Sequence, residues 1–465
     1  MPNCRLEKDS LGTKEVSQSV YWGIQTQRAI ENFPISGIRA HPRFIDAFVL
    51  VKKAAALANK DVGILPAPMS DAIARASDEI LSGALRDQFV VDVFQMGAGT
   101  SFNMNVNEVL SNRAIEILGF ERGDYKHCNP NDHVNMAQST NDAFPTAMRI
   151  SARLLLEELF PQVQRLQEAL AAKGIEFDSV LKSGRTHLQD AVPIRLGQEF
   201  SAYARAIEKS LAYLRAASVL VEELGIGGSA VGTGLNTHPQ YRFKLVEYLK
   251  QWTTIPFRCA PDMREAMQSN LPMAAVSGAL KILAMELSRI SSDFRLLCSG
   301  PLTGFAEIVL PAVQPGSSIM PGKVNPSMAE MMNMVCYQVV GNDQVVAQAV
   351  QAGQLELNVM MPVIAFNVNL SIEIMKNAIR EFTDRCVVGI IADAERCKHY
   401  AEISPSLATA LNSYIGYARA AEVVKKALKE KKSIPQIVRE EKLLTEDQIK
   451  KVLDPRPLTE PGLPG

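Results

Sequence analysis

The sequence lacks most of the signals that mark a specialised class of protein. Its 49 basic and 50 acidic residues nearly cancel, so no strong charge of one sign indicates nucleic acid or an anionic membrane as a partner. Only six histidines and seven cysteines occur, and none follows a CxxC or Cys/His metal-site spacing. No uninterrupted apolar run approaches the roughly 20 residues that span a bilayer. These absences predict a cytoplasmic protein with free thiols, no Cys/His metal site, and no nucleic-acid or membrane partner.

Nucleotide-binding motifs are also missing. The stretch Gly225-Ile-Gly-Gly-Ser-Ala230 fits a loose dinucleotide pattern, but it follows a long helical segment and no βαβ unit surrounds it. No Walker-type GK[ST] occurs. We therefore predict that this glycine cluster is a turn between helices.

What the sequence does contain is a long helical period. Hydrophobic residues step 4-3-4-3-4-3 through Val276, Leu280, Leu283, Leu287, Ile290, Phe294 and Leu297. A second run steps 4-3-4-4-3 through Leu196, Phe200, Tyr203, Ile207, Leu211 and Leu214. Pro145, Pro326 and Pro362 each predict the first turn of a further long helix. Helices of this length need neighbours along their whole extent, so they predict a long bundle that other subunits extend.

The distribution of these patterns predicts an all-α (mainly α) fold of three domains. Residues 1–138 are shorter helices and loops, residues 139–392 form the central long-helix bundle, and residues 393–465 form a small helical domain. In the last of these, Thr445 and Gln448 have the spacing of a capping box.

One loop has the composition of a lid over a carboxylate. Gly316-Ser-Ser-Ile-Met-Pro-Gly-Lys-Val-Asn-Pro326 combines one positive charge with several hydrogen-bond donors. Gly316 and Gly322 are expected to provide hinge freedom. From composition alone, an ordinary surface loop explains the stretch equally well.

Three further clusters place short polar groups together. Three short hydrogen-bond donors stand together at the start of a predicted helix, in Gln138-Ser-Thr-Asn-Asp142. One of them would suffice as an N-cap. The N-terminus of a helix also attracts carboxylates. A second cluster of small and polar residues interrupts a predicted helical region at Gly97-Ala-Gly-Thr-Ser-Phe-Asn103. In a third, His187 lies among hydrogen-bond donors in Gly184-Arg-Thr-His-Leu-Gln-Asp-Ala-Val-Pro193. A lone histidine is more often structural than catalytic.

Taken together, the four clusters resemble the aspartase/fumarase superfamily along essentially the whole chain, and GSSIMPGKVNP is similar to its signature loop. The resemblance implies a mainly α-helical, three-domain protomer with a long central helix bundle. It also implies a homotetramer with a core of roughly 20 helices, active sites shared by three subunits, a small dicarboxylic acid as substrate and no cofactor.

Within the superfamily the chain resembles both main branches. GAGTS, GQLELNVM and KVNPSMAE are similar to members that release ammonia from L-aspartate to give fumarate. YWGIQTQ and GSAVGTGLNTHP are similar to members that hydrate fumarate to L-malate. We predict the aspartate reaction, with fumarate hydration or a related carbon–nitrogen lyase as alternatives. A catalytically inactive structural or binding relative is the alternative from another class.

The resemblance implies a role for each polar residue of the clusters. Ser317 is predicted to be the general base that removes the substrate Cβ proton, which forms an aci-carboxylate dianion. The catalytic residues implied are Ser317, His187, Lys323 and Glu330. The substrate-binding residues implied are Thr100, Ser139, Thr140 and Ser318 for the β-carboxylate, Lys323, Asn325 and Thr186 for the α-carboxylate, and Asn141 with His187 for the amino group. Glu330 is expected to orient the histidine, and no residue is predicted to bind a metal.

Three features depart from the family pattern, and one of them is Asn412-Ser-Tyr414, where relatives usually carry Asn-Pro followed by an aromatic residue or His. Leu302 stands where relatives usually carry Arg, and Met361 stands where aspartases tend to have Glu. Either apolar contact replaces a structural ion pair, or the pocket is reshaped.

Overall fold

The computed structural model describes residues 4–463, and these are mainly helical, as the periodicity predicts. The helices are α1 (Ile24–Asn32), α2 (Pro42–Asp61), α3 (Ala67–Leu81), α4 (Thr100–Ile117), α5 (Thr140–Glu176), α6 (Leu196–Ser218), α7 (Tyr241–Thr253), α8 (Met263–Gln268), α9 (Leu271–Leu297), α10 (Ser327–Gln351), α11 (Met361–Arg385), α12 (Ala394–Ile403), α13 (Asn412–Glu430), α14 (Ile434–Glu440) and α15 (Glu446–Val452).

Strands are short and occur in pairs. The antiparallel pairs are β1 (Cys4–Asp9) with β2 (Gly12–Ser17), β3 (Leu181–Thr186) with β4 (Gln189–Arg195), and β7 (Ile308–Val309) with β8 (Ile391–Ala392). The strands β5 (Glu223–Leu224) and β6 (Arg258–Cys259) run parallel. The β3–β4 hairpin positions candidate site residues.

The two predicted hydrophobic stripes, the heptad seam of α9 and the run in α6, are confirmed. Every residue of the seam in α9, from Val276 to Leu297, is buried, and so is every residue of the run in α6, from Leu196 to Leu214. Burial of apolar side chains at this spacing removes one stripe of each helix from water, which is what stabilises helices of such length.

One of the three proline predictions is wrong. Pro326 directly precedes α10 and Pro362 is the second residue of α11, as predicted. Pro145 instead lies inside α5, which begins at Thr140. Pro145 has no N–H for the carbonyl of Asn141, and the helix continues because packing along 37 residues outweighs one missing hydrogen bond.

The chain divides into two compact units. Unit 1 comprises residues 4–161, 212–284 and 337–376, and unit 2 comprises residues 162–211, 285–336 and 377–463. The division into three domains at residues 138 and 392 stays a prediction.

Unit 1 is built around an aromatic cluster. Phe44 contacts Phe144 and Phe102, with ring centroids 5.0 and 5.3 Å apart, and Phe48 contacts Phe102 at 5.5 Å. The helices α9, α10 and α11 are joined within this unit by polar contacts. Asp343 accepts hydrogen bonds from Ser277 at 2.8 Å and Lys281 at 2.5 Å, and Asn342 donates to Ser371 at 3.0 Å.

Unit 2 has a second aromatic core. Phe294 stacks on Phe200 at 5.4 Å and on Phe382 at 5.9 Å, which joins α9 to α6 and α11. The C-terminal helices bury a separate apolar cluster that includes Val423 and Ile437. The predicted capping box at Thr445 and Gln448 is confirmed at the start of α15.

Helix α9 is, within residues 4–463, the one helix long and apolar enough to cross a membrane, with mean hydropathy 1.3. Half of that window is buried within the chain, where it forms the heptad seam. Core helices of bundles meet the same criterion, so this observation is weak evidence for a membrane span.

Candidate active site

The predicted site residues fall in both units, and each group is described separately. Unit 1 contains Thr100, Ser139, Thr140 and Asn141; unit 2 contains Thr186, His187, Ser317, Ser318, Lys323, Asn325 and Glu330.

A tight turn places Thr100 at the beginning of α4. Ala98 and Gly99 have φ angles of 62° and 84°, and the Ala98 N–H donates to the carbonyl of Val359 at 2.7 Å. A Cβ atom on Gly99 would lie 2.1 Å from the Phe144 ring, so only glycine fits. Thr100 is half-buried and lines a cavity of about 450 Å³.

The three donors at the beginning of α5 have different environments. Ser139 Oγ accepts the Asn141 N–H at 3.2 Å, as an N-cap residue does. The Asn141 side chain donates to the carbonyl of Ala230 at 2.9 Å. Thr140 is buried, and its Oγ1 accepts from Asn103 Nδ2 at 2.9 Å. The capping interpretation therefore holds for Ser139, while Thr140 belongs to a buried network.

Sequence reasoning missed the centre of this network, which is Lys52. Its fully buried ammonium donates to Asn135 Oδ1 and Gln138 Oε1, both at 2.9 Å. Asn103 also donates to Asn135 Oδ1, at 3.3 Å, which links Lys52 to the partner of Thr140. Burial lowers the pKa of Lys52 to about 7, although the charge of Asp142 opposes that shift. The sequence signal that could have identified Lys52 is a lysine that follows a run of apolar residues in α2.

Asp142 was the second residue missed. Its buried carboxylate accepts the N–H groups of Ser139 at 2.9 Å, Gly227 at 3.0 Å and Ser229 at 2.9 Å. Burial raises its pKa to about 6, against the effect of these hydrogen bonds. The glycine cluster at 225–230 thus wraps a carboxylate, which agrees with its prediction as a turn.

In unit 2, Thr186 and His187 lie at the tip of the β3–β4 hairpin. Thr186 pairs with Gln189, and the two turn residues His187 and Leu188 have φ angles of 53° and 59°. Both Thr186 and His187 are exposed. Two consecutive positive φ angles are typical of the tight hairpin turn that matches strand twist.

Buried charges hold the base of this hairpin. Glu307 is fully buried and contacts Lys182 Nζ and Arg185 Nη1, both at 2.8 Å. The Arg185 guanidinium also lies over the rings of Phe305 at 4.2 Å and Tyr400 at 5.4 Å. Because Arg185 directly precedes Thr186, these ion-pair and ring contacts hold the strand that carries the candidate residues in place.

Ser317 lies in the loop 316–326 and is already hydrogen-bonded. Its Oγ accepts the backbone N–H of Ile319 at 3.2 Å and that of Met320 at 2.9 Å. Ser317 is half-buried, whereas Ser318 is exposed. Two N–H groups directed at one hydroxyl oxygen favour negative charge on that oxygen.

The ends of the same loop are joined. The Gly316 N–H donates to the Lys323 carbonyl at 2.8 Å, Asn325 Nδ2 donates to the Gly316 carbonyl at 2.7 Å, and Lys323 Nζ donates to Asn325 Oδ1. A Cβ atom on Gly316 would lie 2.5 Å from the Lys323 carbonyl. Gly316 is thus required because the backbone of Lys323 approaches it closely. The sequence had predicted a different role for Gly316, as a flexible hinge. Gly322 has a φ of 79°.

Glu330 occupies the first turn of α10, where its N–H donates to the carbonyl of Pro326 at 3.0 Å. Glu330 is half-buried. Across residues 4–463, no hydrogen bond or ion pair joins its carboxylate to His187. Within one chain, then, the predicted orientation of the histidine by Glu330 is not formed.

Two of the departures from the family pattern, Leu302 and Met361, differ in environment. Leu302 is 84% exposed, in the turn between Ser299 and Gly304, whereas Met361 is fully buried at the beginning of α11. Burial therefore supports an apolar replacement at Met361 only. In the described part of the chain, no group of three or more His, Cys, Asp or Glu side chains is placed to hold a metal ion.

Comparison with known families defines the class of protein. Residues 12–341 match the family described as Lyase, and residues 407–460 match the Fumarase C C-terminus. The chain belongs to this lyase family, and the predicted superfamily, mainly helical fold and lyase class are confirmed.

Individual relatives cover nearly the whole chain. It is 50% identical over 461 residues to the aspartate ammonia-lyase of Bacillus subtilis, which covers 99% of this chain and 97% of that protein. It is 48% identical to the class II fumarate hydratase of Halobacterium salinarum, with 99% and 98% covered. Among solved structures, a fumarate lyase:delta crystallin from Brucella melitensis is 46% identical with a TM-score of 0.95, covering 98% of this chain and 100% of that one.

Proposed function

We propose that this protein is a carbon–nitrogen lyase that reversibly eliminates ammonia from L-aspartate to give fumarate. The observation that carries the mechanism is the hydroxyl of Ser317, which accepts two backbone N–H groups within the loop 316–326. The substrate is supported by the similarity to the aspartate ammonia-lyase of Bacillus subtilis. The similarity to a fumarate hydratase favours hydration of fumarate as the second candidate.

In the proposed mechanism, Ser317 Oγ removes the proton from the substrate Cβ. The electron pair of that bond moves into the neighbouring carboxylate, which becomes an aci-carboxylate dianion. The pair then returns to form the double bond as the C–N bond breaks and ammonia leaves. A serine hydroxyl does not ionise near neutral pH unaided, and the N–H groups of Ile319 and Met320 would stabilise its alkoxide.

The remaining predicted residues would hold the two carboxylates and the amine. Thr100, Ser139, Thr140 and Ser318 would bind the β-carboxylate, and Lys323, Asn325 and Thr186 the α-carboxylate. Asn141 and His187 would contact the amino group. Closure of the loop over the substrate would exclude water and so strengthen these interactions.

Replacement of Ser317 by Ala tests the mechanism. We expect kcat for fumarate release from L-aspartate to fall by at least about 100-fold, because the general base is lost. The measurement is the ultraviolet absorbance of fumarate. Ser82→Ala, at an exposed helix end, is the matched control and should retain wild-type activity. Near-normal kcat in Ser317→Ala would rule out the serine as base.

The same assay with L-malate distinguishes the two substrates. Fumarate formed from aspartate alone supports the ammonia-lyase, and fumarate formed from malate alone assigns the protein to the hydratases. Activity with neither would direct attention to Leu302, which is exposed, and to another amine or acid.

We further propose a cytoplasmic homotetramer whose sites combine three subunits, with no cofactor. All seven cysteines are free, which fits a reducing compartment. Exposed apolar side chains on α10, including Met334 and Tyr337, favour burial against other subunits. The exposed position of His187 fits a residue that serves a neighbouring subunit's site.

A further inference from the structure

Unit 1 contains a second cavity, of about 230 Å³, that the proposed reaction does not use. Its walls come from α2, α4, α5 and α11 and from the segments that precede α2 and α4, the first of which contributes Arg39 and His41. The walls are mainly apolar and include Phe44, Val93, Phe102, Phe144, Ala365 and Asn369. An apolar cavity of about 150 Å³ is large enough for benzene, so this one has room for a single substituted ring.

One of the residues that line this cavity has a buried polar atom without a partner among the described residues. Asn369 is 2% exposed, and its Oδ1 accepts no hydrogen bond from any residue in the 4–463 range. Leaving a buried amide oxygen unpaired is unfavourable, because it has lost water and gained nothing in exchange. Most buried polar atoms are paired, so this oxygen is an acceptor available to a bound molecule.

Hydrogen bonds fix the segment before α4, which forms part of the cavity wall through Gln95. The Gln95 side chain accepts the Phe102 N–H at 2.8 Å and donates to the Asp92 carbonyl at 2.9 Å. The Asp92 carboxylate accepts the N–H groups of Ser36 at 2.7 Å and Gly37 at 2.8 Å. A preformed cavity loses little conformational entropy when it is filled.

From these observations we propose that this cavity is a binding site for a small uncharged aromatic molecule that carries one hydroxyl or N–H donor. The ring packs between Phe102, Phe144 and Ala365, and the donor satisfies Asn369 Oδ1. This pattern, apolar walls with one placed polar group, is that of small-molecule sites in general. Phe102 and Phe144 follow Thr100 and Asn141 on their own helices, so the ligand contacts the elements that carry the unit 1 site residues.

Phenol and toluene, titrated into the full-length protein by calorimetry, test the site. The two probes share a ring and differ in the donor. The informative quantity is the ratio of the toluene Kd to the phenol Kd. Asn369→Leu keeps the approximate size and removes the acceptor, so we expect this ratio to fall about threefold to tenfold, the effect of one hydrogen bond.

Two further variants complete the test. Asn367→Leu, on the same helix, is the matched control, because Asn367 is buried, donates to the carbonyl of Val363 and does not line the cavity. Its ratio should equal that of the wild type. Ala365→Phe fills the cavity and should weaken binding of both probes at least about tenfold.

The proposal is overturned if phenol shows no saturable binding, or if Asn369→Leu leaves the ratio unchanged. Unaltered binding in Ala365→Phe, shown to be folded by its circular dichroism, would equally overturn it. None of these readouts depends on aspartate or fumarate, so the outcome is separate from that of the proposed reaction.

Discussion

At the scale of single residues, burial shifts the pKa values of two charged groups near the beginning of α5. Lys52 and Asp142 are both fully buried, and burial shifts their pKa values to about 7 and about 6. Both side chains also form hydrogen bonds that position their neighbours. Lys52 donates to Asn135 and Gln138, and Asp142 accepts the N–H groups of Gly227 and Ser229. Lys52 and Asp142 thus position the polar groups around the beginning of α5.

The pKa of Lys52 predicts a dependence of stability on pH. Its folded-state pKa, about 7, lies below the ordinary value of 10.5, so between these pH values the unfolded chain binds more protons than the folded chain. The free energy of unfolding then rises with pH across that window, by at most about 1.4 kcal/mol per pH unit from this residue.

Lys52→Met removes this contribution. The difference in unfolding free energy, wild type minus variant, should therefore grow as pH rises from about 7 towards 10.5. Urea denaturation at several pH values and constant ionic strength measures it. A difference that stays flat or shrinks with pH would contradict the prediction.

Gly99→Ala tests the turn before Thr100. The added Cβ would meet the Phe144 ring at 2.1 Å and would also require a positive φ. We expect a loss of unfolding free energy of about 3 kcal/mol or more, together with reduced activity, because Thr100 is displaced.

The control for this variant is Gly119→Ala. Gly119 also has a positive φ, 90°, but a Cβ there would meet nothing within 4 Å. The unfolding free energy of Gly119→Ala should fall by only about 1–2 kcal/mol, the cost of a positive φ at a residue with a Cβ atom. Equal losses in the two variants, measured by chemical denaturation, would show that the contact with Phe144 is unimportant.

At the scale of elements, the β3–β4 hairpin depends on charges at its base. Glu307 contacts Lys182 and Arg185 in a buried setting, and the exposed tip of the hairpin carries Thr186 and His187. A buried ion pair adds little net stability, but losing one partner leaves the other charges uncompensated.

Glu307→Gln should therefore lower the unfolding free energy by about 3–5 kcal/mol. Because the strand before Thr186 loosens, we also expect KM for the substrate to rise more than kcat falls. Steady-state kinetics with chemical denaturation measures both effects. Glu460→Gln, which removes an exposed partner of Arg195 on the same hairpin, is the control and should change neither appreciably. A Glu307→Gln variant with wild-type stability and KM would refute this positioning role.

At the scale of the whole molecule, the proposed sharing of sites between subunits can be tested. Within one chain no hydrogen bond joins His187 to Glu330, although Glu330 is predicted to orient that ring. The hairpin tip that carries His187 is exposed. Both observations fit a site assembled from several subunits.

Mixing two inactive variants tests this arrangement. His187→Ala and Ser317→Ala should each be inactive alone, because each removes a predicted catalytic group. If one site takes these residues from different subunits, hybrids formed by joint refolding should regain roughly one quarter of wild-type activity, since about that fraction of sites contains both intact residues. If the residues come from one subunit, the hybrids will stay inactive. Light scattering reports the number of subunits.

The sequence alone predicted the long helices and the candidate residues. The hydrophobic stripes of α6 and α9 could be identified because burial of one stripe imposes a regular spacing on apolar residues. The stretch 97–103, which contains Thr100, and the loop containing Ser317 were recognised as short polar stretches with glycine. Pro145 was misplaced, because packing along α5 outweighed a local preference.

Only the tertiary structure decided which distant residues meet and how burial shifts their pKa values. Lys52 meets Asn135 and Glu307 meets Lys182 across many positions of the chain, and no periodicity records such pairs. The pKa shifts of Lys52 and Asp142 arise from burial by residues of other elements. Spacing reports which face of a helix is buried, whereas hydrogen bonding and dielectric environment depend on the three-dimensional neighbours of each group.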